Sequence, residues 1–169
     1  MTLPTIGRIL FASDLSENSI TAGLHAVSLA RATGAKMNLL HVHEPMSDDA
    51  RVTIELFMLN EGGRGDALKR RREMIERVLA ERQAIFWRRL EECEPGLRRQ
   101  DYDVEIVEGY PAETILRRAR ELGCDLIVLG AHNHGLTQTF LGTVAKRVLR
   151  RADIPTLIVP YRDPGTRPR

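Results

Sequence analysis

Short apolar runs alternate with amphipathic stretches along most of this chain. Ile9 to Ala12 is uninterrupted and apolar, ends just before Asp14, and predicts a buried first strand. Ser16 and Asn18 then offer N-caps to a helix whose Ile20, Leu24, Val27 and Ala30 recur at helical spacing, and Gly34 stops it. Met37 to Val42 predicts a second strand and Val104 to Val107 a third, alternating one. Pro111 opens a helix with Ile115, Ala119 and Leu122 on one face, closed by Gly123. Leu126 to Leu129 predicts a fourth strand, a last helical pattern starts at Val144, and Ile154 to Val159 predicts a fifth strand.

Strands alternating with amphipathic helices predict an α/β fold, a parallel sheet with helices on both faces. Nearly continuous apolar strands suit a sheet covered on both sides. Ligands of such sheets bind beyond the carboxyl ends of the strands, at a topological switch point. Asp14, Val42 and Gly130 all fall at strand carboxyl ends, so one pocket can collect them.

The segment from about 44 to 100 is too long for one ordinary crossover and reads as a helical insert. Ala67 to Cys93 predicts a long helix with an apolar stripe of Leu68, Ile75, Val78, Leu79, Ile85 and Phe86. That stripe reads as a cover for the sheet, with a partner surface as the alternative. Arg51 to Asn60 is a shorter helical piece, and Gly62 to Gly65 reads as a mobile loop between the two.

With 169 residues, 43% of them hydrophobic, the chain suits a single domain over 1–162, leaving 163–169 as a flexible tail. A net charge of +2 calls for neither nucleic acid nor an anionic membrane, and no apolar run approaches membrane length. Met1 to Gly7 lacks the basic start of a signal peptide. Cys93 and Cys124 fit no paired spacing, and a reduced, cytoplasmic protein is expected, with Cys124 a buried small hydrophobe.

The candidate chemistry gathers between Gly130 and Thr143. Strand, glycine-bearing loop and helix is the order in which backbone N–H groups and a helix N-terminus hold an anion, usually a phosphate. Gly130, Gly135 and Gly142 permit close backbone approach, and Thr143 is placed to cap the last helix and donate to a phosphate oxygen. From spacing alone, a plain loop with a helix cap is an equal reading. Asp14 likewise reads either as a ligand group or as an N-cap of the first helix. His41, His43, His132 and His134 lie near strand ends, but no carboxylate or cysteine joins them at metal-ligand spacing. No nucleophile with a partner base appears.

Six blocks carry a resemblance. Ile9 to Glu17, Leu39 to Val42, Glu108 to Ala112, Asp125 to His132, Leu141 to Ala145 and Ile154 to Pro160 resemble the universal stress protein family, in that family's order and over nearly the whole chain. The resemblance implies five parallel strands ordered 3-2-1-4-5. It also implies a division into members that bind ATP and members that do not. Binding members carry Gly-x2-Gly-x9-Gly-Ser/Thr after the fourth strand. This chain has Gly130 and the Gly142–Thr143 pair, but Asn133 stands at the second glycine position and the interval is one residue short. The loop, with its His132, is similar to a shorter version found in a nucleotide-binding branch, and Asn tolerates the left-handed backbone better than most residues.

Carried over by position, Ala12, Ser13 and Asp14 lie by the adenine or ribose, and Val42 offers its backbone to the adenine edge. Gly109 lets backbone approach the nucleotide. Gly130, His132, Asn133, Gly135, Gly142, Thr143 and Val144 surround the phosphates, with Mg bridging them. The resemblance further implies a homodimer through the fifth strand, Ile154 to Pro160, acting as a stress-response module on an unidentified protein partner. A slow ATPase and a non-binding interaction module are the alternatives.

Overall fold

The structure, a computed structural model, describes residues 3–58, 64–131 and 141–161. Five strands form it: β1 (Arg8–Ala12), β2 (Lys36–His43), β3 (Asp103–Glu108), β4 (Leu126–Gly130) and β5 (Thr156–Val159). They make one sheet ordered β3-β2-β1-β4-β5, with every neighbouring pair parallel. The helices are α1 (Ile20–Thr33), α2 (Asp48–Met58), α3 (Arg64–Cys93), α4 (Pro111–Glu121) and α5 (Thr143–Arg151). The doubly covered parallel sheet expected from the apolar runs is the observed fold.

Period-two alternation divides the core in two. Ile9, Phe11, Leu39 and Val128 face α1 and α3, whereas Leu10, Leu40, Ile127 and Leu129 face α4 and α5. Both sides of β1 and β4 are therefore sealed from water, which is why those strands read as unbroken apolar runs. Gly34 ends α1 at φ 72 and Gly123 follows α4 at φ 64, two left-handed positions that favour glycine. Cys124 is buried as expected, which pushes its thiol pKa up, and Cys93 is exposed.

Most element ends differ from the sequence expectation by one to three residues, and three of these differences have a physical reading. β5 begins at Thr156, because Pro155 has no N–H to give the ladder, although its carbonyl still accepts from Ile127 N at 2.9 Å. The long helix starts at Arg64, so Arg64 and Gly65 belong to α3. A lone glycine costs a helix only about 1 kcal/mol, and the Lys/Arg/Glu/Leu-rich turns that follow outweigh it. Gly62 and Gly63 lie outside the described residues, as does the tail from 162. The cap positions before α1 also differ: Ser16 precedes a 3-10 turn at Glu17–Ser19, and Ser19 is the residue before α1.

α3 spans 30 residues, about 45 Å of helix. Its C-terminal half is fixed by Phe86, Trp87 and Leu90, all buried, with Phe86 packed on Phe11, and Trp87 stacked on Tyr102 at 5.7 Å. Towards its N-terminus the packing thins: Leu79 is buried, while Ile75 is only half-buried.

Candidate functional site

The strand order reverses at β1: the chain leaves β1 for β2 and β3 on one side, then crosses back to β4 and β5 on the other. A cleft opens at the carboxyl ends of these strands, where adjacent crossovers diverge. Its cavity volume is about 130 Å³, and it is open to solvent at its mouth. Its floor is apolar, made by Ala12, Leu40, Val42, Ile115, Leu129 and Ala145, and its rim carries Ser13, Asp14, Asn18 and Ser19.

The loop after β1 is held from several directions. Ser13 N donates to Leu40 O at 3.0 Å, carrying the β1–β2 ladder one step past the strand. Ser13 Oγ accepts from Leu15 N at 2.9 Å and lies 2.8 Å from Ser19 Oγ. Ser19 Oγ donates its proton to Ser16 O, so the proton between the two hydroxyls is that of Ser13. Asp14 Oδ1 accepts from both the N–H and the hydroxyl of Ser16, at 3.0 and 2.7 Å, a turn that stops short of capping α1. These bonds hold Leu15 at φ 59, a left-handed conformation unusual for a branched side chain, with that side chain buried.

His41 supports this loop from the opposite face of the sheet. It is buried, and its Nδ1 lies 2.8 Å from Ser13 O. A carbonyl only accepts, so Nδ1 carries the proton. Burial holds the imidazole below its ordinary pKa, partly offset by this hydrogen bond. His41 is thus a neutral strut, the packed role rather than a metal ligand. Among the described residues no group of three His, Cys, Asp or Glu side chains is placed to hold a metal.

The far wall is the start of α5. Gly142 is the residue before the helix, with φ −60 and ψ 161, and no side chain caps it. Thr143, expected to cap, lies instead at the first helical position. The first intrahelical bond runs from Lys146 N to Gly142 O, so the amides of Thr143, Val144 and Ala145 take no part in the ladder. Gly142, Val144 and Ala145 line the cleft, so this end brings positive dipole to its edge.

Of the residues expected at the site, the fold gathers Ala12, Ser13, Asp14, Val42, Gly130, Gly142 and Val144 into the cleft. Thr143 adjoins it without lining it. Gly109 also lies outside the lining: its N–H donates to His43 O at 3.0 Å, and a Cβ there would meet Thr114 Oγ1 at 2.5 Å. Packing of α4 accounts for that glycine. His132, Asn133 and Gly135 lie outside the described residues. The cleft also contains Asn18, Ser19, Pro111, Ile115, Leu129 and Ala145, none of which was singled out from sequence. Asn18 and Ser19 carried a signal, two polar residues close after Asp14, but Asn18 was read only as a helix cap and Ser19 not at all.

Comparison with known proteins agrees with this architecture. The model of the family described as "Universal stress protein family" matches residues 5–160. A universal stress protein of Thermus aquaticus is 34% identical over 89% of this chain and 96% of its own length. Among solved structures, the Methanocaldococcus jannaschii protein MJ0577 superposes with a TM-score of 0.63 at 22% identity, covering 95% of this chain and 99% of its own. A universal stress protein solved in complex with cAMP gives 0.52 at 23%, covering 92% and 98%. The chain belongs to the universal stress protein family.

Proposed function

For this member of the universal stress protein family, we propose that the cleft at the carboxyl ends of β1, β2 and β4 binds an adenine nucleotide, ATP with Mg, as the input to a dimeric regulatory module. The observation that carries it is one cleft joining an apolar floor, a carboxylate-bearing rim and uncapped helix amides. Those three match the base, the ribose hydroxyls and the phosphates of a nucleotide in turn. The adenine lies over Val42 and Leu40, the ribose by Asp14, and the phosphates towards Gly142 and Val144. A family structure solved with cAMP supports a nucleotide of this class.

Among the described residues lining the cleft, Asp14 is the only ionisable side chain. The module pairs with a second copy through β5, an edge strand whose Leu157 and Ile158 are only half-buried in the single chain.

Native mass spectrometry of the purified protein, followed by calorimetric titration with ATP–Mg, tests the reading. Co-purified adenine nucleotide, or saturable ATP binding, is the expected result. An empty protein that takes up no ATP identifies a non-binding interaction module instead.

A further inference from the structure

On the opposite face of the sheet, where the packing of α3 thins towards its N-terminus, a second cleft opens between α3 and the ends of β2 and β3. It shares no lining residue with the nucleotide cleft and has a cavity volume of about 660 Å³. Ile75 and Leu79 of α3 and Ile106 of β3 make an apolar wall.

Two polar groups beside that wall lack partners. His43 Nδ1 is buried with no hydrogen-bond partner among the described residues. The Arg71 side chain also lines the cleft, is half-buried, and has no carboxylate within ion-pair distance among the described residues. Its neighbours differ: Arg72 is occupied by Glu76 at 3.1 Å, and Glu108 lies 3.6 Å from His43 Nε2. A buried imidazole nitrogen without a partner and a half-exposed guanidinium without a carboxylate stand at one apolar wall, where an outside group can engage both. The group that meets both has a short apolar body and an anionic head.

We propose that this cleft binds a small amphiphilic anion, its chain against Ile75, Leu79 and Ile106 and its carboxylate or phosphate on Arg71 and His43. Arg71 supplies the planar donor fork that either headgroup accepts. This site is independent of the nucleotide reading, since it lies on the other side of β2.

The test is calorimetric titration of the full chain with octanoate, octyl phosphate and uncharged 1-octanol, with amide chemical shifts to locate binding. Both anions are expected to shift Leu79, Ile106 and His43, and 1-octanol to bind about tenfold more weakly or worse. Arg71→Gln, a partly exposed change that leaves the fold intact by circular dichroism, is expected to weaken the anions about tenfold without altering octanol. Ile75→Glu, which sets a carboxylate in the wall, is expected to abolish binding of both anions. Preference for one anion assigns the headgroup. No binding at millimolar concentration, octanol binding as tightly as octanoate, indifference to Arg71→Gln, or displacement by ATP would each overturn the proposal.

Discussion

Two crossovers on one face of the sheet run from a strand through a glycine into a helix, and the two glycines have different surroundings. At the end of β3, Gly109 has no room for a side chain, because Thr114 on α4 fills the place a Cβ would take, 2.5 Å away. At the end of β4, a Cβ on Gly130 would rest at 3.6 Å from the Cβ of Ala22, an ordinary contact. Gly142, which opens the helix after β4, has a backbone conformation any residue adopts. Packing therefore requires the first glycine and not Gly130, and backbone conformation does not require one at Gly142. A strand–glycine–helix pattern looks the same in sequence whether the missing side chain makes way for the protein or for a ligand.

That contrast is open to direct attack, beginning with the largest effect. Gly109→Ala is expected to destabilise the fold by about 1–3 kcal/mol through overpacking, read from chemical denaturation. The loss should shrink when Thr114→Ala is combined with it, and an unchanged loss in the double variant would assign the strain elsewhere. Gly142→Val is expected to leave the chain folded, at the modest cost of a poorer N-cap for α5, and to lower ATP affinity tenfold or more, about 1.4 kcal/mol, by intruding on the phosphates. Unchanged affinity in that variant removes this wall from the site. Gly130→Ala is the mildest: a stability change within about 0.5 kcal/mol is expected, as for a substitution that meets no strained feature.

The strut beneath the cleft adds a pH dependence. His41 is buried neutral with a lowered pKa, so the unfolded chain takes up a proton before the folded one does. Stability therefore rises with pH across the window between the folded value and about 6.5, and is lost on acidification through it. Charged or titratable neighbours His43, Asp14 and Arg82 act on the same group. His41→Asn, which can still donate to Ser13 O, is expected to flatten the slope of denaturation midpoint against pH below about 6.5. An identical slope would place the titration on another residue.

Much of the architecture was legible because burial on both sides leaves a plain record. Ile9 to Ala12 and Leu126 to Leu129 are apolar at every position, and only a doubly covered strand needs that. Helix ends were legible where glycine holds a left-handed turn, as at Gly34 and Gly123. The start of α3 was misjudged, since glycine at Gly65 signals a break locally while the turns beyond it extend the helix. Asp14 and Gly142, which line the cleft, were legible from their positions at strand and helix ends. The floor was not: Leu40, Ile115, Leu129 and Ala145 look like any core residue until the fold shows that they stop short of filling the space. The second cleft was also hidden. It depends on where α3 parts from the sheet, which no run of residues records.

Leu15 carries one further consequence. A glycine in its place would relieve roughly 1 kcal/mol of backbone cost, yet would forfeit about 1.5–3 kcal/mol from burying a leucine. The core outbids local preference at Leu15, so distant side chains add to the local hydrogen bonds of Ser13, Asp14 and Ser16 in holding the bend. A fragment cut out around it keeps only the local part of that support. The rim of the cleft is thus cooperative with the whole domain: it exists only when the sheet and α1 are assembled beneath it, and partial unfolding anywhere in that core dismantles it as well.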